Sequence, residues 1–169
     1  MEAVLNYTKA PYVNIISHSM GVTLARKIIQ GGEAQDQKEG SYIVGPSLRD
    51  RVKNFVGIAG GNLGLTACWT TEIFPSCSNI DGFYPGVIAT SGPSRYLAEM
   101  NRHPGAEGQN VYTIWSKYDT VVGEECVVWG KVTCRIPGQK EEIVKKSIEW
   151  GHLALRDNTG PDILRWFNS

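Results

Sequence analysis

Short apolar, β-branched runs alternate along this chain with helical and irregular segments. Tyr12-Val13-Asn14-Ile15-Ile16 is such a run and predicts a buried strand. The turn Ser17-His18-Ser19-Met20-Gly21 follows it. Val22 to Gln30 then has helical spacing, with Leu24, Ala25, Ile28 and Ile29 on one face, and Gly31-Gly32 supplies the stop. Glu33 to Tyr42 is polar and predicts a surface loop. Val52 to Ala59 predicts a second strand, Val111 to Trp115 a third, and Ile143 to Trp150 a fourth despite its lysines. Asp119 comes just after the third of these, and His152 falls on the loop directly after the fourth. At the ends, residues 2–7 resemble the last turns of an amphipathic helix. Pro161 to Phe167 predicts a closing helix with proline in its first turn.

Between the second and third strands the pattern breaks down. Residues 62–102 are rich in glycine, proline, serine and aromatics, with one short helix expected from Ser94 to Asn101. An irregular insertion of that length inside a compact domain is usually functional. Strands alternating with helices or excursions indicate an α/β fold with a mainly parallel sheet, read as one domain over residues 1–169.

Composition narrows the function classes. At 169 residues and 41% hydrophobic, the chain can bury a substantial core. Its 17 acidic residues balance its 17 lysines and arginines, which gives no support to nucleic-acid binding or to attachment at an anionic membrane. No apolar run approaches the roughly 20 residues that span a bilayer. The first residues carry no basic stretch followed by a long apolar one, so no signal peptide is legible.

Four cysteines form two close pairs in sequence, Cys68 with Cys77 and Cys126 with Cys134. Local pairs in an even count suit two short-range disulfides and an oxidising compartment. The segment from Cys126 to Cys134 then resembles a stapled hairpin. Buried free thiols are the plainer alternative. Zinc ranks last, because there is no C-x-x-C and no nearby histidine pair.

The strongest chemical signal is the strand–S-x-S-x-G–helix unit around Ser19. A serine hydroxyl at its ordinary pKa is a weak nucleophile and must be held exposed beside a base. A sharp strand-to-helix turn does this, and small flanking residues let strand and helix approach closely; Ser17 and Gly21 occupy those positions. The N–H of Met20, at the helix start, would face a developing oxyanion with the helix dipole behind it. The bland alternative is that Ser19 is merely a helix N-cap.

Asp119 lies just past a strand end, at the sheet edge where open α/β folds bind ligands. It would orient a base and stabilise its cation. A simple turn in Ser116-Lys117-Tyr118-Asp119-Thr120 is its alternative, and Asp81 and Asp157 are its rivals. Three histidines exist. His18 lies inside the elbow, too constrained to act as the base, and His103 precedes Pro104 in a polar loop. His152, after Gly151, is the remaining candidate.

The order Ser…Asp…His in one α/β chain is the order α/β-hydrolases use. The stretch Val13 to Val22, with Trp115 to Asp119 and Gly151-His152, resembles the class 2 lipases of that superfamily, and most of all the secreted lipase-like group expanded in nematodes. The resemblance spans nearly all of the chain. It implies Ser19, Asp119 and His152 as a triad, hydrolysis of carboxylic esters of the acyl-lipid type, two disulfides and no cofactor. It also implies substrate-contacting loops over the site, for which Trp69 to Tyr84 is the candidate, with plain packing the alternative. Strands, a helix and an oxyanion loop should precede the elbow strand in this superfamily, whereas this chain starts about a dozen residues before Ser19. The expectation is therefore a truncated form of a longer secreted enzyme, retaining one oxyanion donor, Met20. Its first strand should be an exposed edge. The competing function is a remnant that binds lipid or a protein partner without turnover. An acyltransferase or thioesterase on the same three residues is a third.

Overall fold

The computed structural model describes residues 1–69, 74–87 and 91–168. Helix α1 (Glu2–Thr8) leads into strand β1 (Val13–His18) and helix α2 (Met20–Gln30). Strands β2 (Gly32–Asp36) and β3 (Gly40–Gly45) follow, then β4 (Val52–Ile58), helix α3 (Arg95–Met100) and β5 (Asn110–Ser116). The chain closes with the two-residue strands β6 (Val127–Val128) and β7 (Lys131–Val132), strand β8 (Glu141–Lys145), and helices α4 (His152–Asn158) and α5 (Gly160–Phe167). No helix among the described residues is long and apolar enough to cross a membrane.

The central sheet has the order β1-β4-β5-β8 and is parallel throughout. Its inner strands, β4 and β5, are buried at nearly every position because helices cover both faces. Successive side chains of a strand point to opposite faces. Phe55 and Val111 accordingly pack with Val22 and Ile29 of α2 on one face. Val56, Ile58, Tyr112 and Ile114 pack with Leu155 of α4 and with Ile163 and Trp166 of α5 on the other. The Tyr112 and Trp166 rings stack at 4.5 Å. Burial of an aliphatic side chain such as Val22 or Ile29 stabilises by about 1.5–3 kcal/mol.

Four elements differ from the sequence expectation. The polar segment 33–42 belongs to an antiparallel hairpin, β2 with β3, rather than a loop. Its turn is set by Asp36, whose Oδ1 accepts from the N–H groups of Lys38 and Glu39. Backbone pairing around such a turn needs no apolar pattern. The fourth strand of the sheet runs over Glu141–Lys145 and stops before Trp150. It lies at the sheet edge, where Glu141 meets Arg165 and Glu142 meets Arg135 and the Trp115 indole N–H, so its polar composition is tolerated.

Helix α2 buries Val22, Arg26 and Ile29, while Leu24 and Ile28 are exposed. The sequence hides this because the reason is distant. Arg26 Nε donates to Glu107 Oε1 at 2.8 Å in full burial, with Asn62 and Asn101 accepting from the same guanidinium. Removing one partner of such a pair costs roughly 3–5 kcal/mol. Lastly, His152 is the first residue of a helix, α4, rather than part of a loop.

All four cysteines are bonded, Cys68 to Cys77 and Cys126 to Cys134. The described part of the 62–102 insertion contains short 3-10 turns at Thr66–Cys68 and Pro75–Cys77 besides α3. Of the aromatic stretch from Trp69 to Tyr84, residues 70–73 lie outside the described residues.

Candidate active site

Ser19 sits between β1 and α2 with φ 57° and ψ −130°, a conformation that L-residues rarely adopt. Its N–H donates to Ile58 O at 2.8 Å, which ties the turn to the neighbouring strand. The strained turn lifts the side chain off the end of the sheet. Met20 follows as the first helical residue, so no intrahelical carbonyl reaches its N–H. Close approach of helix and strand, expected at Gly21, occurs elsewhere. A Cβ at Gly21 would meet nothing within 4 Å, and among the described residues β1 is an edge strand of the sheet. The tight contact is at Gly60, where a Cβ would stand 2.8 Å from Val22 Cγ1.

Asp119 lies two residues past Lys117, in the turn after β5, and is fully buried. Its Oδ1 accepts from the N–H groups of Val121 and Val122, each at 3.0 Å. Burial pushes its pKa up, but the hydrogen bond from His152 and those two backbone donors outweigh it and hold the carboxyl below its ordinary value. The group is therefore ionised at neutral pH and can only accept.

His152, brought to the same rim by the start of α4, places Nδ1 2.7 Å from Asp119 Oδ2 and Nε2 2.9 Å from Ser19 Oγ. An ionised carboxylate accepts, so Nδ1 carries the proton and Nε2 is free to accept from the serine hydroxyl. Ser19, His152 and Asp119 thus form one continuous hydrogen-bonded chain. The rivals are elsewhere: Asp81 accepts from the Gln37 N–H, Asp157 pairs with Arg156, and His103 is exposed in its loop. Beside Ser19 and Met20 lies a cavity of about 50 Å³, walled by Ala59, Gly61, Leu65, Phe83, Val121 and Val122. This lining was not legible beforehand, since its members come from three separate loops.

A parallel sheet flanked by helices, with the serine turn after its edge strand, defines an α/β-hydrolase fold. Over residues 1–162 the chain matches the family described as lipase (class 2), and it belongs to that family.

Solved structures agree on the fold. An alpha/beta hydrolase enzyme from the metagenome of lagoon sediments at Mar Chica, Morocco, is similar with a TM-score of 0.50 at 14% identity. The match covers 99% of this chain and 66% of that one. The esterase domain from a Rhodothermus marinus protein is similar with a TM-score of 0.50 at 16% identity, over 97% of this chain and 63% of that one. A structure described with the metagenome-derived lipolytic enzymes LipS and LipT gives 0.50 at 14% identity, over 99% and 68%. The chain thus spans about two thirds of the length of these structures. No curated protein matches it.

Proposed function

We propose that this chain hydrolyses carboxylic esters, acylglycerol lipids among them, with Ser19 as nucleophile, His152 as base and Asp119 as orienting acid. The observation that carries this reading is the hydrogen-bonded chain from Ser19 Oγ through His152 to Asp119. Membership of a lipase family supports ester hydrolysis as the reaction.

In this scheme Ser19 Oγ attacks the ester carbonyl carbon while its proton passes to His152 Nε2. The carbonyl oxygen gains negative charge and faces the Met20 N–H, a donor worth about a hundred- to a thousand-fold in turnover at such sites. The tetrahedral intermediate collapses as His152 returns the proton to the departing alcohol, leaving an acyl-enzyme. Water, deprotonated by the same imidazole, then releases the acid and restores the serine. Asp119 remains ionised throughout and balances the transient imidazolium. The two disulfides support an oxidising compartment, which we take to be extracellular.

The test is hydrolysis of a short-chain 4-nitrophenyl ester by the purified chain and by Ser19→Ala, His152→Ala and Asp119→Asn. The reading predicts measurable turnover that falls by roughly ten-thousand-fold or more in each variant. Turnover retained in Ser19→Ala would reject it. A second reading, a chain that binds lipid or a partner without turnover, draws on the exposed Ile16, Leu24 and Ile28 around the open edge of β1. No turnover in any of the four proteins would favour that reading.

A further inference from the structure

His18 is the last residue of β1, in register with Ile58, and precedes Ser19 directly. Its Nε2 lies 3.0 Å from the carbonyl oxygen of His152, and the two imidazole rings stand 4.5 Å apart, tilted by 50°. We propose that His18 is a positioning residue that holds His152 in line with Ser19. The inference rests on the catalytic reading above.

The argument is geometric. A carbonyl oxygen accepts only, so the contact requires His18 to be protonated at Nε2 and to donate. Consecutive residues 18 and 19 then each bond the same histidine, one through its backbone and one through its ring. Asp119 and Ser19 already bond the two ring nitrogens of His152. The bond from His18, at the end of β1, fixes instead the backbone from which that ring projects, so that the ring is held in line with Ser19 from both ends. The bond does not displace the hydrogen bonding within α4, because the His152 carbonyl has a second lone pair beyond the one its own helix uses. Misplacement of a catalytic group by about an ångström can cost on the order of a hundred-fold in rate.

The charge state of His18 fits this role. Burial holds its pKa below the ordinary histidine value; His152 and Arg156 act in the same direction, and the hydrogen bond to the His152 carbonyl and the nearby Asp119 act against it. Asp157, the remaining charged group facing it, is paired with Arg156 on α4. A neutral His18 puts no second cation against the imidazolium that forms on His152 during turnover. Its ring is also held by the carbonyl, which keeps it from competing for the Ser19 proton.

The experiment compares wild type with His18→Phe, which keeps a ring and removes the donor, and His18→Gln, which keeps a donor. Circular dichroism establishes that each is folded. With a short-chain 4-nitrophenyl ester, His18→Phe should lose about 10- to 100-fold in kcat with KM changed less than threefold, and His18→Gln should recover most of that loss. The low-field proton resonance of His152 Nδ1–H, sharp in wild type, should broaden in His18→Phe and sharpen again in His18→Gln. Equal kcat in wild type and His18→Phe would overturn the proposal, as would equal losses in both variants. A check independent of variant folding is the tautomer: ¹⁵N shifts of the wild-type protein should show neutral His18 protonated at Nε2, and protonation at Nδ1 instead would exclude the bond. Reaction of wild type with a fluorophosphonate keeps the two ideas apart. Without labelling at Ser19 the catalytic reading itself falls, whereas labelling with an unaffected His18→Phe sinks only this inference.

Discussion

The hydroxyl of Ser19 reaches the imidazole of His152 at 2.9 Å although 133 residues separate them in sequence. Two strand ends make that contact possible. β1 delivers the serine and β5 delivers Asp119, and the start of α4 lays His152 between them. The backbone at Ser19 is the costly part of this arrangement. A residue with a Cβ held at φ 57° and ψ −130° stores roughly 1–3 kcal/mol of strain.

That strain gives a stability test free of kinetics. Ser19→Gly and Ser19→Ala both delete the hydroxyl, so their difference isolates the backbone. At ordinary positions glycine is less stable than alanine by about 0.5–1 kcal/mol. Here Ser19→Gly should instead be the more stable, by about 1 kcal/mol, in urea denaturation. The ordinary order would mean that the turn is relaxed.

The glycines of the elbow should part in the same measurement. Gly21 is helical with open space where a Cβ would go, so Gly21→Ala should gain about 0.5–1 kcal/mol. At Gly60 a Cβ would meet Val22 Cγ1 at 2.8 Å and Val22 Cβ at 2.9 Å. Gly60→Ala should therefore cost about 1–3 kcal/mol through overpacking. If Gly21→Ala proved the worse of the two, close approach at the elbow would have to be reinstated.

Alkaline stability should report on Tyr96. Burial raises its pKa from 10.0 to about 12, against the opposing effects of the Thr23 side chain and the Arg26 charge, and its hydroxyl donates to Thr23 O at 2.8 Å. The folded chain thus holds the phenolic proton more tightly than the unfolded chain does. That contribution is fully present below pH 10 and is lost as pH rises through about 12. The loss across that range amounts to roughly 2–3 kcal/mol. Tyr96→Phe should be less stable than wild type at pH 8, by about 0.5–1.5 kcal/mol for the lost hydrogen bond. The deficit should shrink and reverse by pH 12. Curves that stay parallel from pH 8 to 12 would show that Tyr96 titrates normally.

What the sequence made legible followed local periodicity. The inner strands announce themselves through unbroken apolar runs such as Phe55 to Ile58, and the serine turn through its small residues between a strand and a helix. The mainly parallel α/β sheet was readable at that level, and the class 2 lipase family through the resemblance carried by Val13 to Val22, Trp115 to Asp119 and Gly151-His152. The hairpin at Gly32–Gly45 was not, because an Asx turn and backbone pairing create it with little side-chain burial beyond Ala34. The buried face of α2 was misread because its central residue is a charge, Arg26, whose partner Glu107 lies 81 residues away. His18 was legible only as a member of the serine turn. Its bond to the His152 carbonyl depends on how α4 returns to the sheet, which no local pattern encodes.

The central claim is that Ser19 is a nucleophile activated by His152. A fluorophosphonate probe followed by mass mapping of the modified peptide tests it most directly. One probe should attach per chain, at Ser19, with labelling abolished in Ser19→Ala and at least a hundred-fold slower in His152→Ala, within the range that general base catalysis contributes, about 10²–10⁴. Labelling on another residue, or labelling at an unchanged rate once the imidazole is removed, would contradict the account.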